Sequence, residues 1–166
     1  MRPEELPSWA EQQAAALLAN LGDRWPHVQA VAAKARQASV ALAPEDRPYL
    51  VAAAWLHDVG YASSLNRLGF HPVDGARFEA EERGLVKELA EFAPEDGPLL
   101  DALTYADMTT GPAGQRVDLE QRIAEILDRY PPDDPVHRAN RRSRPALHEA
   151  VDRTLARLGA VADQPM

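Results

Sequence analysis

The chain has 166 residues, of which 45% are apolar and 27% are charged, a balance typical of a globular domain with its own core. It contains no cysteine, which excludes disulfides, thiolate nucleophiles, iron-sulfur clusters and thiolate zinc sites. A formal net charge of -8 disfavours extended contact with a nucleic-acid backbone or an anionic membrane. Any bound metal ion must therefore be held by histidine and carboxylate side chains.

We expect one domain over residues 1–166, with a core over about 8–158 and a loose C-terminal tail from about 160 to 166. The longest apolar stretch, Leu50 to Leu56, is far too short to span a bilayer. The N-terminus lacks a signal-peptide pattern. These features predict a cytoplasmic location.

The sequence predicts an all-α fold, a single-domain helical bundle. Strand formers are scarce, and no stretch alternates apolar with polar residues over the length of a strand. The third predicted helix is apolar on all sides, so we expect it to be the buried central helix. The predicted helices cover residues 8–21 (with a capping box at Ser8 and Glu11), 26–39, 46 or 48 to 58, 72–92 as one or two helices, 99–109, 118–130 and 145–158.

His57 and Asp58 close this central helix, and Gly60 follows them as a helix-terminating residue. Adjacent ligands converge on one ion most easily where a helix ends. Two interpretations remain open for the pair alone. Either it binds a metal ion, or the histidine interacts with the helix dipole while the aspartate turns into solvent.

Asp107 follows Leu103 by four residues and Leu100 by seven, on the helix face that the periodicity assigns to the core. A carboxylate on that face needs a cation. His27 lies in the first turn of the second helix, where a lone histidine is a weak signal. Together with His57 and Asp58, these residues would form a nitrogen and oxygen ligand set from three helices, with positions left for water.

The residues His27, His57-Asp58 and Asp107, in this order, resemble the pattern of the HD-domain superfamily of metal-dependent phosphohydrolases. The stretch Trp55 to Tyr61 is similar to the family's apolar-His-Asp-apolar-Gly segment, and Gly69-Phe70-His71-Pro72 to the segment that follows it in many small bacterial members. The resemblance extends from about Leu21 to Tyr130 and includes the all-helical character.

The resemblance implies one divalent ion, of manganese, magnesium, iron, nickel, cobalt or zinc, bound by His27, His57, Asp58 and Asp107. The ion would polarise a phosphoryl group and lower the pKa of a bound water. Asp58 would also orient that water. His71 would contact phosphate, protonate the leaving group or ligate a second ion. Two arginines are candidate substrate-phosphate ligands: Arg24 and Arg67.

The function expected from the resemblance is hydrolysis of a small phosphate ester, with nucleotides among the candidate substrates. One departure is that no histidine lies between Pro72 and Asp107, where many relatives carry one or two more. A two-metal site therefore looks short of ligands. Two alternatives remain open: a catalytically incomplete member that binds metal or nucleotide as a regulatory module, and a plain helical interaction domain with structural histidines.

Overall fold

The computed structural model describes residues 1–65 and 96–162, and helices form nearly all of the regular structure in these two ranges. The only β-type pairing there is an isolated bridge between Thr110 and Arg116. The prediction of an all-α fold is confirmed. The helices are α1 (Leu6–Leu18), α2 (Arg24–Ala38), α3 (Arg47–Leu56), α4 (Pro98–Met108), α5 (Leu119–Arg129) and α6 (Pro135–Ala162).

Helix α3 packs against α1, α2 and α4 at the centre of the main hydrophobic core. Its residues Leu50 and Ala54 are fully buried, as the apolar run predicts, whereas Tyr49 reaches solvent at one end. Alanines on α1 and α2 are also fully buried and let these helices approach α3 closely. This packing holds the carboxyl end of α3 against the first turns of α2.

A second, smaller core joins α4, α5 and α6. Met108 at the end of α4 is buried with Leu119 and Ile123 of α5 and with Val151 of α6. Asp118 caps the start of α5, because its carboxylate accepts a hydrogen bond from the Gln121 backbone and the Gln121 side chain accepts one from Asp118. The end of α4 thus lies between the two cores.

The predicted capping box at Ser8 is wrong, because α1 begins at Leu6 and Ser8 lies within its first turn. Pro7 fits the first turn of a helix, where its missing N–H would be unpaired in any case. A 3₁₀ turn, Pro3–Glu5, precedes the helix, and the Glu5 carboxylate accepts a 2.9 Å hydrogen bond from the Arg2 backbone.

The last helix is longer than its sequence pattern predicts, since α6 starts at Pro135 and contains Pro145 and Gly159. Pro145 is exposed, and a Cβ on Gly159 would meet no atom within 4 Å, so neither residue forces the helix to end. A basic stretch of the sequence therefore lies within this helix. Its arginines lie on the first half of α6: Arg138, Arg141, Arg142 and Arg144.

The buried face of α4 is also shifted from the predicted one. Leu100 is exposed, whereas Asp101, Ala102 and Ala106 are buried. The predicted helical region over residues 72–92 lies outside the described residues. In the two described ranges, none of the helices combines the length and the apolar character needed to cross a bilayer.

Candidate metal centre

His27 lies one turn into α2 and is almost completely buried. The helix begins at Arg24 rather than at Pro26, so the imidazole points into the protein and not toward solvent. Its Nδ1–H donates a 3.0 Å hydrogen bond to the carbonyl oxygen of Gly111. This bond makes Nδ1 the protonated nitrogen and leaves Nε2 as the free donor atom of a neutral ring.

His57 immediately follows the last residue of α3, as its position before Gly60 suggests. Its Nδ1–H donates a 2.8 Å hydrogen bond to the carbonyl oxygen of Ala54, one turn back in α3. The Nε2 atom is again the free one, and it lies 3.4 Å from the Nε2 atom of His27. A histidine that binds a metal usually anchors its other ring nitrogen in this way.

Asp107 brings a carboxylate to the two imidazoles from the last turn of α4. Its Oδ1 atom lies 3.1 Å from Nε2 of His27 and 3.9 Å from Nε2 of His57. The side chain is about one-third exposed, at 32%. Asp107 therefore stands at the edge of the core facing a cavity, and not within the core as the periodicity predicted.

These three side chains have the composition and spacing of a metal site, and His27, His57 and Asp107 could hold an ion. Ligand atoms about 2.1 Å from one ion lie roughly 3–3.4 Å apart in octahedral or tetrahedral coordination. The observed separations of 3.1, 3.4 and 3.9 Å are close to that range. With both Nδ1 atoms protonated, the nitrogen lone pairs and the carboxylate oxygen face one another, an arrangement that a cation among them would stabilise. The residues fit a divalent ion.

Neighbouring cations already favour the ionised form of Asp107. Burial by itself raises its pKa, but His27 and His57, when each carries a proton in place of an ion, and the charge of Arg122 outweigh burial. The pKa of Asp107 is held well below its ordinary value. The carboxylate is thus available as a metal ligand throughout the neutral pH range.

Asp58 lies beside the three-residue group, with its Oδ2 atom 3.5 Å from Nε2 of His57 and 3.8 Å from Nε2 of His27. The same oxygen accepts a 2.6 Å hydrogen bond from Nη1 of Arg24. The guanidinium of Arg24 also stacks on the ring of Tyr61, 3.9 Å from its centroid. Arg24, a sequence candidate for phosphate binding, therefore also orients Asp58.

Arg122 is the residue at the site that the sequence pattern did not single out. It lies on α5, is buried, and places Nη2 3.9 Å from Oδ1 of Asp107. Leu119, Arg122 and Ile126 follow a spacing of three and four residues, so Arg122 interrupts an apolar helix face. The same kind of interruption identified Asp107 and could have identified Arg122.

Two cavities open beside the three-residue group and share Arg24, Arg122 and Arg129 in their walls. The first has a volume of about 300 Å³ and is also lined by His27 and Pro112. The second, of about 170 Å³, has more apolar walls. Its other lining residues are Asp58, Tyr61, Asp107, Met108, Ile126, Tyr130, Val136 and Asn140.

The structure brings together five of the seven sequence candidates: Arg24, His27, His57, Asp58 and Asp107. His71 and Arg67 lie outside the described residues. His137 lies outside the group, at the start of α6, and its Nδ1–H donates a hydrogen bond to the carbonyl oxygen of Tyr130. His148 is on the surface, with Nε2 2.5 Å from a carboxylate oxygen of Glu120.

The loop that follows α4 fixes His27 and contains a glycine that cannot be replaced without strain. Gly114 has φ of +80°, and a Cβ there would lie 2.9 Å from the Pro26 carbonyl oxygen and 3.2 Å from Ala30 Cβ. Its N–H donates a 2.9 Å hydrogen bond to the Gly111 carbonyl oxygen, which also accepts from His27. Contacts and hydrogen bonds of Gly111 and Gly114 therefore join the loop to His27 and to the start of α2.

Gly114→Ala is expected to lower the free energy of unfolding by about 2 kcal/mol or more. The left-handed conformation costs roughly 1–2 kcal/mol for a residue with a side chain, and the contact with the Pro26 backbone adds to it. Thermal and denaturant unfolding measure the change. The matched control is Gly159→Ala on α6, which we expect to stabilise the helix by up to about 1 kcal/mol. Equal stability of the two variants would contradict the proposed fit of the loop.

Comparison with known proteins identifies the family. The family model of the HD domain matches residues 24–133, which is more than half of the chain and includes Arg24, His27, His57, Asp58 and Asp107. No curated protein and no solved structure matches the chain at a significant level. The match and the all-helical fold agree with the resemblance seen in the sequence, and the chain belongs to the HD domain family.

Proposed function

We propose that this protein is a metal-dependent phosphohydrolase that cleaves a small phosphate ester, with nucleotides among the candidate substrates. The observation that carries the proposal is the convergence of three donor atoms, Nε2 of His27, Nε2 of His57 and Oδ1 of Asp107, beside two cavities with arginines in their walls. Family membership supports the reaction class, because HD domains are generally metal-dependent hydrolases. We propose Asp58 as the fourth ligand.

The side chains have distinct roles in this proposal. His27 and His57 offer neutral Nε2 atoms, because each Nδ1–H is engaged by a backbone carbonyl. Asp107 supplies negative charge, and Arg24 holds Asp58 in place while keeping further N–H donors for a substrate phosphate. A divalent ion bound there would supply Lewis-acid polarisation of the phosphoryl group and a water of lowered pKa.

Asp58 also stands where it can accept a proton. It lies beside both imidazoles and is 6% exposed, and its Oδ2 atom is paired with Arg24. A carboxylate in this position can orient a water molecule and receive its proton during attack on phosphorus. We propose this as the catalytic role of Asp58, in addition to metal binding.

The proposal predicts phosphate release that depends on a divalent ion. Protein stripped by a chelator is expected to be inactive, and activity is expected to return when a suitable ion from the set of manganese, magnesium, iron, nickel, cobalt and zinc is added. A phosphate-release assay over a panel of phosphomonoesters that includes nucleotides measures this. We expect Asp107→Asn to lower the rate by about 100-fold or more, because it removes a ligand charge.

Asp152→Asn provides the matched control for this assay, because it makes the same chemical change at an exposed position on α6 that lines neither cavity. Full metal content without turnover of any ester in the panel would contradict the hydrolase function. If nucleotides then raised the melting temperature of the metal-loaded protein, the regulatory binding module would be the better account. Absence of a stoichiometric ion would contradict both and favour a plain helical interaction domain.

A further inference from the structure

Helix α5 carries two arginines on the face that lines both cavities. Arg122 and Arg129 are seven residues, or about two helical turns, apart on one face, and both appear in the walls of the two cavities. Both guanidinium groups contact the carboxylate of Glu125, which lies between them in sequence. The pair therefore already converges on an anionic group within the protein.

The charges on this face do not balance. Two arginines share the single carboxylate of Glu125, so these three side chains together carry a surplus of one positive charge. Arg24, in the same cavity walls, is paired with Asp58. Asp107, 3.9 Å from Nη2 of Arg122, faces the two histidines and the ion expected there. Asp23 lines only the first cavity, so in the second cavity the surplus of these three side chains remains available for an anion.

Arg122 also has unused hydrogen-bonding capacity. Its side chain is only 7% exposed, and Nη1 donates a 2.5 Å hydrogen bond to Glu125. Among the described residues, its Nε atom is shielded from solvent and has no hydrogen-bond partner. A buried donor without an acceptor costs free energy, so an arginine kept this way next to a cavity indicates a ligand position.

We propose that Arg122 and Arg129 form an anion site that receives the phosphate group of the substrate beside the metal ligands. Arg122 is the fixed half of this site, held by burial and by Glu125. Arg129 has a side chain that is 39% exposed, so it can move from Glu125 to an entering phosphate oxygen. The identity of the anion as a substrate phosphate rests on the proposed function.

Two arginines in addition to a divalent ion suit a phosphate monoester, whose terminal phosphate carries close to two negative charges near neutral pH. A diester phosphate carries one charge and has fewer free oxygens for guanidinium groups to contact. The site therefore favours a terminal phosphate over an internal one. This narrows the substrate class of the proposed hydrolase to phosphomonoesters.

The test is titration of the full-length, manganese-loaded protein with inorganic phosphate by calorimetry, after the metal content of each variant has been measured. We expect Arg129→Gln and Arg122→Gln each to weaken phosphate binding by about 10-fold or more, since each removes a charge-assisted hydrogen bond. Arg129→Lys should recover part of the affinity because it keeps the charge. Arg36→Gln is the control, because Arg36 is exposed and lines neither cavity.

Arg129→Gln is the decisive variant, because Arg129 does not contact a proposed metal ligand and its partial exposure makes folding insensitive to the change. Full metal content with unchanged phosphate affinity would overturn the anion site and leave the proposed hydrolase intact. Wild-type protein that binds neither manganese nor any other of the six candidate ions would contradict the proposed function. In that case the same phosphate titration on metal-free protein would test the anion site. The anion site predicts that metal-free wild-type protein binds phosphate and that Arg129→Gln weakens this binding.

Discussion

His57→Ala is expected to weaken binding of a divalent ion by about 100-fold or more while the metal-free protein keeps nearly its full stability. Loss of residues that merely support a metal ligand typically costs 10- to 100-fold in affinity, so loss of a ligand should cost at least as much. His57 can be removed with little structural damage. Its Nδ1–H bonds only to Ala54 in its own helix, and it caps the end of that helix.

His27→Ala should behave differently, although it removes an equivalent donor atom. His27 is 1% exposed, and its loss leaves a cavity and deprives the Gly111 carbonyl of a buried hydrogen bond. We expect the metal-free His27→Ala protein to lose about 2 kcal/mol or more of stability in addition to the metal. Comparing the two variants separates the loss of metal affinity from the loss of stability of the metal-free protein.

The measurements are metal content after dialysis, metal affinity by titration, and melting temperature with and without chelator. For wild-type protein, an ion at about 100 times its dissociation constant adds roughly 2.7 kcal/mol. For a domain of this size that shift is about 5–10 °C, and His57→Ala should abolish it. His148→Ala is the matched control, because His148 lies at the surface beside Glu120. Equal metal content in the His57 and His148 variants would exclude His57 as a ligand.

The extent to which the sequence predicts this site depends on the range of the interactions involved. His57 and Asp58 follow an apolar run and precede Gly60, so local pattern suffices to place them at the end of a buried helix. His27 is different. The hydrogen bond that orients it goes from its Nδ1–H to the carbonyl oxygen of Gly111, 84 residues away, and no local pattern encodes such a contact. The family resemblance, and not periodicity, connected His27 to the other residues.

The errors in the helices also have physical causes. A proline and a glycine usually break a helix, but Pro145 and Gly159 lie on a surface where little opposes continuation, and packing of α6 on α4 and α5 extends the helix through both. The assignment of Leu100 to the core face failed because α4 buries Asp101 instead. A hydrophobic pattern assigns a charged residue such as Asp101 to the solvent-exposed face of a helix. Its burial becomes evident only when the fold places Arg153 and Arg157 beside it.

Asp101→Ala is expected to lower the free energy of unfolding by about 2 kcal/mol, because it removes the ionic connection between α4 and α6. Asp101 is buried and accepts hydrogen bonds from Arg153 at 2.7 and 2.9 Å and from Arg157 at 2.8 Å. A hydrogen bond to a charged group contributes roughly 1.5–3 kcal/mol. The arginines are partly exposed and regain water when the carboxylate is lost, so the net cost is well below the sum of three such bonds.

The same interaction predicts how the loss depends on pH. Hydrogen bonds from Arg153 and Arg157 outweigh the effect of burial and lower the pKa of Asp101 in the folded protein. Because the folded-state pKa lies below the unfolded value of about 3.9, the stabilisation is complete above that value and is lost as the pH falls through the folded-state pKa. We therefore expect the stability difference between wild type and Asp101→Asn to be constant from about pH 7 to pH 5 and to shrink in more acidic solution.

Denaturant unfolding over this pH range measures both effects, and Asp152→Ala serves as the control because Asp152 is an exposed carboxylate next to Arg153 on α6. Asp101→Asn keeps the shape of the side chain and removes its charge, so a loss in this variant reports the ionic part of the interaction. If Asp101→Ala and Asp101→Asn were as stable as wild type at pH 7, α4 and α6 would be joined by apolar packing alone. Since α4 carries Asp107, an ionic connection at Asp101 implies that the helix with this proposed metal ligand is held near both ends. Arg153 and Arg157 hold it near its start, and the contact between Asp107 and His27 holds it near its end.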